Sequence, residues 1–266
     1  MIELAEKIAR YIEYLRSVEL CVSIHFTPES TARLPHSVWE KLLPYNSHNN
    51  PYCLTVKSCR VEDCIAHQRA LISEVSEPGF KVCHAGVGEC VFPVRPSSLT
   101  VGYVAVSGTL AMRNLVPSNA ASWTHALSEN APPTELAQTL VPPLVMMLEG
   151  LLLSSRKFEV SEQNLISQYL AENHISLTFD NFCRHFSRSR SYMSHKFGKM
   201  FGKSFSAYCN DLRLEDAARL LMLGDKAVTD VALSCGFGDV SYFIRLFKAK
   251  YGVSPLKYRR SSAADK

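Results

Sequence analysis

"GFGDVSYFIRLFKAKYGVSP", Gly236 to Pro255, decides how this chain is read. An earlier stretch, "SYMSHKFGKMFGKSF" from Ser191 to Phe205, keeps step with it. Ser191 matches Ser241, Tyr192 matches Tyr242, Phe197 matches Phe247 and Gly202 matches Gly252. In the later copy Phe243, Phe247 and Tyr251 recur every four residues, the spacing of a buried helical stripe. Ahead of it, "VTDVALSC" puts Val228, Val231, Ala232 and Cys235 at helical spacing. Thr229 and Asp230 lie near the start of that helix, where an acceptor or a negative charge is favoured. Gly236 suits a left-handed turn because it has no Cβ, and Asp239 is placed to cap the next helix. Gly252 ends that helix, and Pro255 opens a further short one carrying Lys257, Tyr258, Arg259 and Arg260. Helix, short turn, helix is the helix-turn-helix unit.

The earlier copy follows the same plan. "LTFDNFCRHF" is its first helix, with Phe179, Phe182, Cys183 and Phe186 inward. Its turn, "SRS", has no glycine, and Ser189 serves as the cap. Met193, Phe197 and Phe201 face inward on the second helix. Arg190, Ser191, Ser194, His195 and Lys199 face outward. On the later copy the outward face carries Val240, Ser241, Ile244, Arg245 and Lys248. Two β-branched residues beside a serine and two bases suit a DNA groove, where apolar groups meet thymine methyls and arginine reaches guanine. "SAYCNDLRLEDAARLLML" joins the copies as one long helix and would hold them at a fixed separation. A repeat made only for packing, in an all-α bundle, is the alternative.

The charge is uneven. Residues 161–266 carry 16 Lys and Arg against 10 Asp and Glu, and the rest of the chain 13 against 15. A basic C-terminal part joined to a near-neutral partner fits nucleic-acid binding. The 266 residues suit about two domains. The opening "MIELAEKIARYIEYLRS" has charges throughout, so no secretory leader is expected. Reduced thiols in a cytoplasmic location follow for the nine cysteines. "LVPPLVMMLEGLLL" is short of the roughly 20 apolar residues of a membrane span and reads as a buried helix.

The N-terminal part reads as α+β. Leu4, Ile8, Ile12 and Leu15 mark one face of a first helix. "LCVSIHF", "GFKVCHAG", "GECVFPVRP" and "LTVGYVAVSG" read as strands, the last two as a hairpin across a Pro-Ser-Ser turn. A helix is expected from Asp63 to Glu77, with Cys64 in its first turn. An antiparallel sheet with helices suggests a PAS-like sensory fold. Leu144, Leu148, Leu151 and Leu152 stripe a later helix, which suits either a dimer seam or packing on the sheet.

Residues 161–260 resemble the AraC/XylS family of transcription activators, on "RLEDAARLL", "VTDVALSCGFGDVSYFIRLFKAKYGVSP" and the closing "KYRR". The resemblance implies an all-α module of two helix-turn-helix units that bends DNA slightly and recruits RNA polymerase. It carries base reading to Arg190, Ser191, Ser194 and His195, and to Val240, Ser241, Tyr242, Ile244 and Arg245. Lys199, Lys203, Lys248, Lys250 and Arg259 become phosphate contacts, and Arg213 a residue that orients the connecting helix. Residues 1–115 resemble the PocR-type ligand-binding domain, on "NPYCLTVKSCRVEDCIAHQRALISEVSEPGFKVCHAGVGECVFPV" and "VGYVAVSG". This implies a sensor of diols or other small hydrocarbon derivatives, with the family cysteines at Cys53, Cys64 and Cys83 beside His84. The organisation is then a sensory domain (1–115), a helical linker with a dimerisation role (116–160) and a DNA-binding domain (161–266).

For Cys53, Cys64, Cys83 and His84 two readings stand open. They converge on a metal ion or an iron–sulfur cluster, or the cysteines are small buried residues. His84 also suits the wall of a ligand pocket. The spacings contain no C-x-x-C knuckle, which argues against a zinc ribbon. A sequence-specific DNA-binding regulator, an activator under the control of a small molecule or metal bound to the N-terminal domain, and not an enzyme, is the leading function. The alternatives are a redox- or metal-sensing regulator using the N-terminal cysteines, with Cys83 and Cys90 as the redox pair, and a methyl-acceptor repair protein. Double-stranded DNA, RNA polymerase and a small effector are the expected partners, with a homodimer as a further expectation and no membrane.

Overall fold

Strands alternate their side chains between two faces, so the four strands here can cover two layers at once. The computed structural model describes residues 1–48, 50–130, 133–155, 161–223 and 226–264. The expected boundary at 160–161 abuts residues 156–160, which lie outside the described residues. The chain forms two compact units. One comprises Met1–His48 with Arg60–Glu172, the other Asn49–Cys59 with Asn173–Lys266.

The first unit opens with α1 (Ile2–Ser17), whose Ala5, Ile8, Ile12 and Leu15 are buried. After β1 (Cys21–Phe26) come the short α2 (Pro28–Thr31) and α3 (His36–Leu42). Helix α4 (Pro51–Glu74) is broken at Arg60, where the backbone leaves helical geometry, and only its later part belongs to this unit. Then follow β2 (Gly79–Val82), β3 (Val87–Val94), β4 (Gly102–Leu110), α5 (Thr134–Leu140), α6 (Pro142–Ser155) and α7 (Glu162–Asn173). The sheet is antiparallel throughout, in the order β1-β4-β3-β2. The expected hairpin is β3–β4, closed by Val94 opposite Gly102.

Period two divides the sheet. Val22, Ile24, Phe92, Val94, Val104 and Val106 join α1, α3 and α6 in the main core. Leu144, Leu148, Leu151 and Leu152 are buried in that core, so they pack within the unit and are not a seam for a second chain. The alternate residues Val91, Tyr103 and Ala105 meet Leu71 and Val75 of α4 in a smaller cluster. Ser23, His25 and Glu89 are also buried and alternate with main-core residues. One side of the sheet is therefore apolar, and the side beneath α4 is mixed, with an apolar cluster beside buried Ser23, His25 and Glu89.

Beyond its break at Arg60, the later part of α4 begins within three residues of the expected start at Asp63, whereas the part from Pro51 to the break was not expected. Asn50 Oδ1 accepts from the Cys53 amide at 2.8 Å, and proline at the first helical position needs no partner for the N–H it lacks. The Asn-Pro pair was a readable start signal.

Helix α7 is tied to its unit by amide side chains. Fully buried Asn164 donates to the carbonyls of Thr31 (3.1 Å) and Leu34 (2.7 Å). Gln168 donates to the Phe26 carbonyl at 3.1 Å and accepts from Thr31 Oγ1 at 2.5 Å.

The second unit is helical: α8 (Phe179–His185), α9 (Arg190–Phe201), α10 (Phe205–Leu223), α11 (Val228–Ser234), α12 (Val240–Tyr251) and α13 (Pro255–Ala264). Two aromatic cores hold it. Phe182, Phe197 and Phe205 pack in the first, Phe243, Phe247, Tyr251 and Tyr258 in the second, at ring separations of 4.6–5.8 Å. Phe182, Phe197, Phe243 and Phe247 are fully buried, each worth roughly 1.5–3 kcal/mol of burial.

No single helix among the described residues is long and apolar enough to cross a membrane. Helices α5 and α6 reach that length only together, bent by 42°, and α6 is spent on the main core.

Candidate nucleic-acid interface and sensory site

Both second helices, α9 and α12, are capped as their sequences require. Ser189 Oγ accepts from the Tyr192 amide at 3.3 Å. Asp239 Oδ1 accepts from the amides of Ser241 (2.7 Å) and Tyr242 (3.1 Å). Both helices end on a left-handed glycine, Gly202 and Gly252. The turns ahead of them differ. Gly236 has φ +80°, and a Cβ there would sit 2.1 Å from the Ile175 carbonyl oxygen. In the first copy Ser187 itself takes φ 51°.

The outward faces match the sequence pattern. Ser191, Ser194 and His195 are exposed on α9. Ser241, Tyr242, Ile244 and Arg245 are exposed on α12, and Val240 is half-buried. Ile244 remains 38 % exposed, among the exposed large apolar residues of the chain. Arg190 pairs with Asp180 and lies 5.3 Å over the Phe179 ring. Arg245 stacks 5.4 Å over Tyr242, whose hydroxyl accepts from Asn210 Nδ2 at 3.1 Å.

The five basic candidates divide in two. Lys203 pairs with Asp211, Lys250 with Glu215 at 2.8 Å and the Asp211 carbonyl at 3.0 Å, and Arg259 donates to the Lys226 carbonyl at 2.6 Å. Lys199 and Lys248 are exposed and engage no partner among the described residues. Arg213 donates to the His174 carbonyl at 2.8 Å. Beside it, Asp216 accepts from His174 at 2.8 Å and pairs with Arg219. Burial alone would raise the Asp216 carboxyl, but the charges of His174 and Arg219 outweigh it and hold it at about 2.

The first unit has a cavity of about 350 Å³. His25 and Asn46 line it together with Ile65, Gln68, Arg69 and Ile72 of α4 and with Gln168 and Glu172 of α7. His25, Asn46 and Gln168 are buried polar groups, each at most 3 % exposed.

From His25 a polar chain runs along the sheet. His25 Nε2 is 3.3 Å from His48 Nε2, and His48 Nδ1 is 3.6 Å from Glu89 Oε1. His67 Nε2 stands 3.9 Å from Glu89 Oε2. Glu89 is 1 % exposed, and neither of its carboxylate oxygens is within hydrogen-bond reach of a donor. Burial would push its carboxyl up, but the charges of His48 and His67 reverse this and hold it below its ordinary value.

Sequence reading missed Glu89, His48 and Tyr103. The signal was a lone glutamate inside "VGECVFPV", an otherwise apolar strand.

The sequence-predicted cysteine site does not assemble as a metal centre. Among the described residues no group of three or more His, Cys, Asp or Glu is placed to hold a metal ion. Cys53 belongs to the second unit, whereas Cys64, Cys83 and His84 belong to the first. Cys64 Sγ is 3.3 Å from His84 Nε2, a pair of donors where structural metal sites use about four. Cys83 Sγ accepts from the Ala85 amide at 3.4 Å, and burial pushes its thiol up to about 11. The expected Cys83–Cys90 redox pair also fails, because the strand register sets Phe80, not Cys83, opposite Cys90. None of the nine cysteines is in a disulfide.

Residues 182–261 match the family model described as "Helix-turn-helix domain". An uncharacterized HTH-type transcriptional regulator of Escherichia coli, YijO, is 42% identical over 96 residues, 36% of this chain and 34% of the relative. The HTH-type transcriptional activator RhaS of Citrobacter koseri is 33% identical over 127 residues, 46% of each chain. Among solved structures, the C-terminal domain of the response regulator yesN from Fusobacterium nucleatum is 32% identical. It covers 36% of this chain and 96% of that domain, with a TM-score of 0.35. The chain thus spans between a third and a half of the length of these two curated relatives.

Proposed function

We propose that this chain, whose C-terminal helices form a helix-turn-helix domain of the AraC type, is a sequence-specific transcription regulator controlled by a small molecule. The observation that carries this is the doubled unit: two capped helices, α9 and α12, each exposing a polar and basic face. DNA is the partner that such a pair fits. Ser191, Ser194 and His195 on α9, and Val240, Ser241, Tyr242, Ile244 and Arg245 on α12, are the base readers. Arg190 is the weaker reader, since reaching a base means leaving Asp180. Lys199 and Lys248, with no internal partner, are the leading phosphate contacts. Lys203, Lys250 and Arg259 would first have to release theirs. Activation through RNA polymerase is the sign of control that the activators among its relatives support.

The effector site is the 350 Å³ cavity of the first unit. Its mixed lining suits a small ligand with hydroxyl groups and an apolar edge, in keeping with the diols suggested by the PocR resemblance. An antiparallel sheet flanked by helices supports a PAS-like sensor. Helix α7 supplies Gln168 and Glu172 to the cavity and runs directly into the second unit, so a ligand there would act on the helix that leads to the DNA readers. A cytoplasmic location and a homodimer on paired sites belong to the same reading.

Selection of binding sites from a random duplex pool tests the first half. Two preferred patches about one helical turn apart, 10–10.5 base pairs, are expected. A pool that shows no enrichment would defeat the reading. A thermal-shift screen of the whole chain against small alcohols, aldehydes and diols tests the second half, because a ligand of the folded form raises its apparent stability.

A further inference from the structure

Beneath α4, near the Glu89 chain, lies a second set of groups that neither DNA binding nor the effector cavity uses. Cys64, on the later part of α4, is half-buried, with its sulfur 3.3 Å from His84 Nε2. His84 follows β2 in the turn before β3. A thiol within hydrogen-bond reach of an imidazole is the arrangement that makes a nucleophilic sulfur. His84 Nε2 is the group placed to take the thiol proton.

The surroundings point to a substrate as well as to a nucleophile. His84 Nδ1, His67 Nε2, both Glu89 oxygens and the Tyr103 hydroxyl are buried with no hydrogen-bond partner. Glu89 and His67 face each other as an ion pair. The Tyr103 hydroxyl and His84 Nδ1 have no such partner among the described residues. Buried polar atoms are almost always satisfied, so these two need an occupant to explain them. Tyr103 is fully buried, and burial, reinforced by the charges of Glu89, Cys83 and Cys64, keeps its phenol protonated. It is therefore a hydrogen-bond donor with nothing to donate to. Nucleophile, base and an unused buried donor are the three parts that addition to a carbonyl compound requires.

We propose that Cys64, His84 and Tyr103 form a covalent-capture site for small α,β-unsaturated carbonyl compounds. His84 Nε2 takes the proton of the Cys64 thiol. The thiolate sulfur bonds to the β-carbon, and the carbon–carbon π pair shifts to give an enolate, whose oxygen accepts from Tyr103 Oη. His84 then returns the proton to the α-carbon. One C–S bond forms, no oxidant is consumed, and the product is a thioether on Cys64. The site does not depend on DNA binding, and its test does not read it.

Cys59 is the internal control, because it is more exposed than Cys64 and has no imidazole partner among its contacts. The whole, reduced chain is treated at pH 7 with limiting N-ethylmaleimide, an unsaturated carbonyl, or with iodoacetamide, which alkylates without forming an enolate. Peptide mass spectrometry then gives the labelling rate of each cysteine. With N-ethylmaleimide, Cys64 is expected to react about tenfold faster than Cys59, and His84→Gln to remove that excess. Tyr103→Phe is expected to slow the maleimide reaction about threefold while leaving iodoacetamide labelling unchanged. Wild-type Cys64 reacting no faster than Cys59 would overturn the proposal without recourse to any variant. So would an excess that survives His84→Gln. Equal slowing of both reagents by Tyr103→Phe would remove Tyr103 from the site.

Discussion

The two helix-turn-helix units share a scaffold and differ in how it is secured. The later copy turns on a glycine, caps with an aspartate that takes two amides, and exposes arginine and isoleucine. The earlier copy turns on a left-handed serine, caps with a serine that takes one amide, and exposes serines and a histidine. Duplication preserved the aromatic cores and the terminal glycines, while turn, cap and face diverged. Packing is thus the shared constraint, and readout is where the copies were free to separate.

The sharpest way to break the comparison is at the turns. Gly236→Ala forces a left-handed Cβ against the Ile175 carbonyl and should cost more than about 2 kcal/mol in urea unfolding followed by circular dichroism. Ser187→Gly, at the corresponding turn, should instead stabilise by about 0.5–1 kcal/mol, because it relieves a strained φ. The same sign at both sites would mean that the turns are equivalent after all.

Asp216 gives an effect common to both copies, since it anchors the connecting helix α10. Its carboxyl is depressed to about 2 in the folded protein. Its contribution, about 2 kcal/mol, is therefore complete above the ordinary carboxylate range and fades as pH falls from about 4 towards 2. Wild type and Asp216→Asn should differ at pH 7 and converge only below about pH 2. A gap unchanged across that range would show that Asp216 acts by packing and not by charge.

On DNA, Arg245→Ala should lose roughly 1–3 kcal/mol on the selected site and relax one base pair, whereas His195→Ala should lose less. Equal losses would erase the ranking of the faces. Lys248→Ala should weaken all sequences alike and reduce the salt slope by about one, whereas Lys250→Ala, already paired with Glu215, should change it little. The smallest contrast is in the caps. Asp239→Ala should cost about 1 kcal/mol and Ser189→Ala about half that, read as thermal midpoints.

The helical half was legible because its signals are local. Periodicity, a glycine, a cap and an aromatic every fourth residue all lie within one stretch such as Gly236–Pro255. The strands of the other half were legible for the same reason. The polar surface beneath α4 was not. Glu89, Tyr103, His48 and His84 are brought together by strand register and by a helix from elsewhere in the chain, and no sequence window contains them. The helix near Asp63 was legible, but the segment before the break at Arg60, opened by Asn50-Pro51, was not.

The attachment of α7 has a consequence for how such a protein can diverge. Asn164 and Gln168 grip main-chain carbonyls of Phe26, Thr31 and Leu34. A grip on the main chain is indifferent to most of what hangs from it. Phe26 borders the cavity from the main core, so its carbonyl keeps hold of the helix while other side chains of the cavity wall are exchanged to admit a different ligand. Lineages can then explore new chemical signals one residue at a time without first losing the mechanical connection that makes a signal worth having.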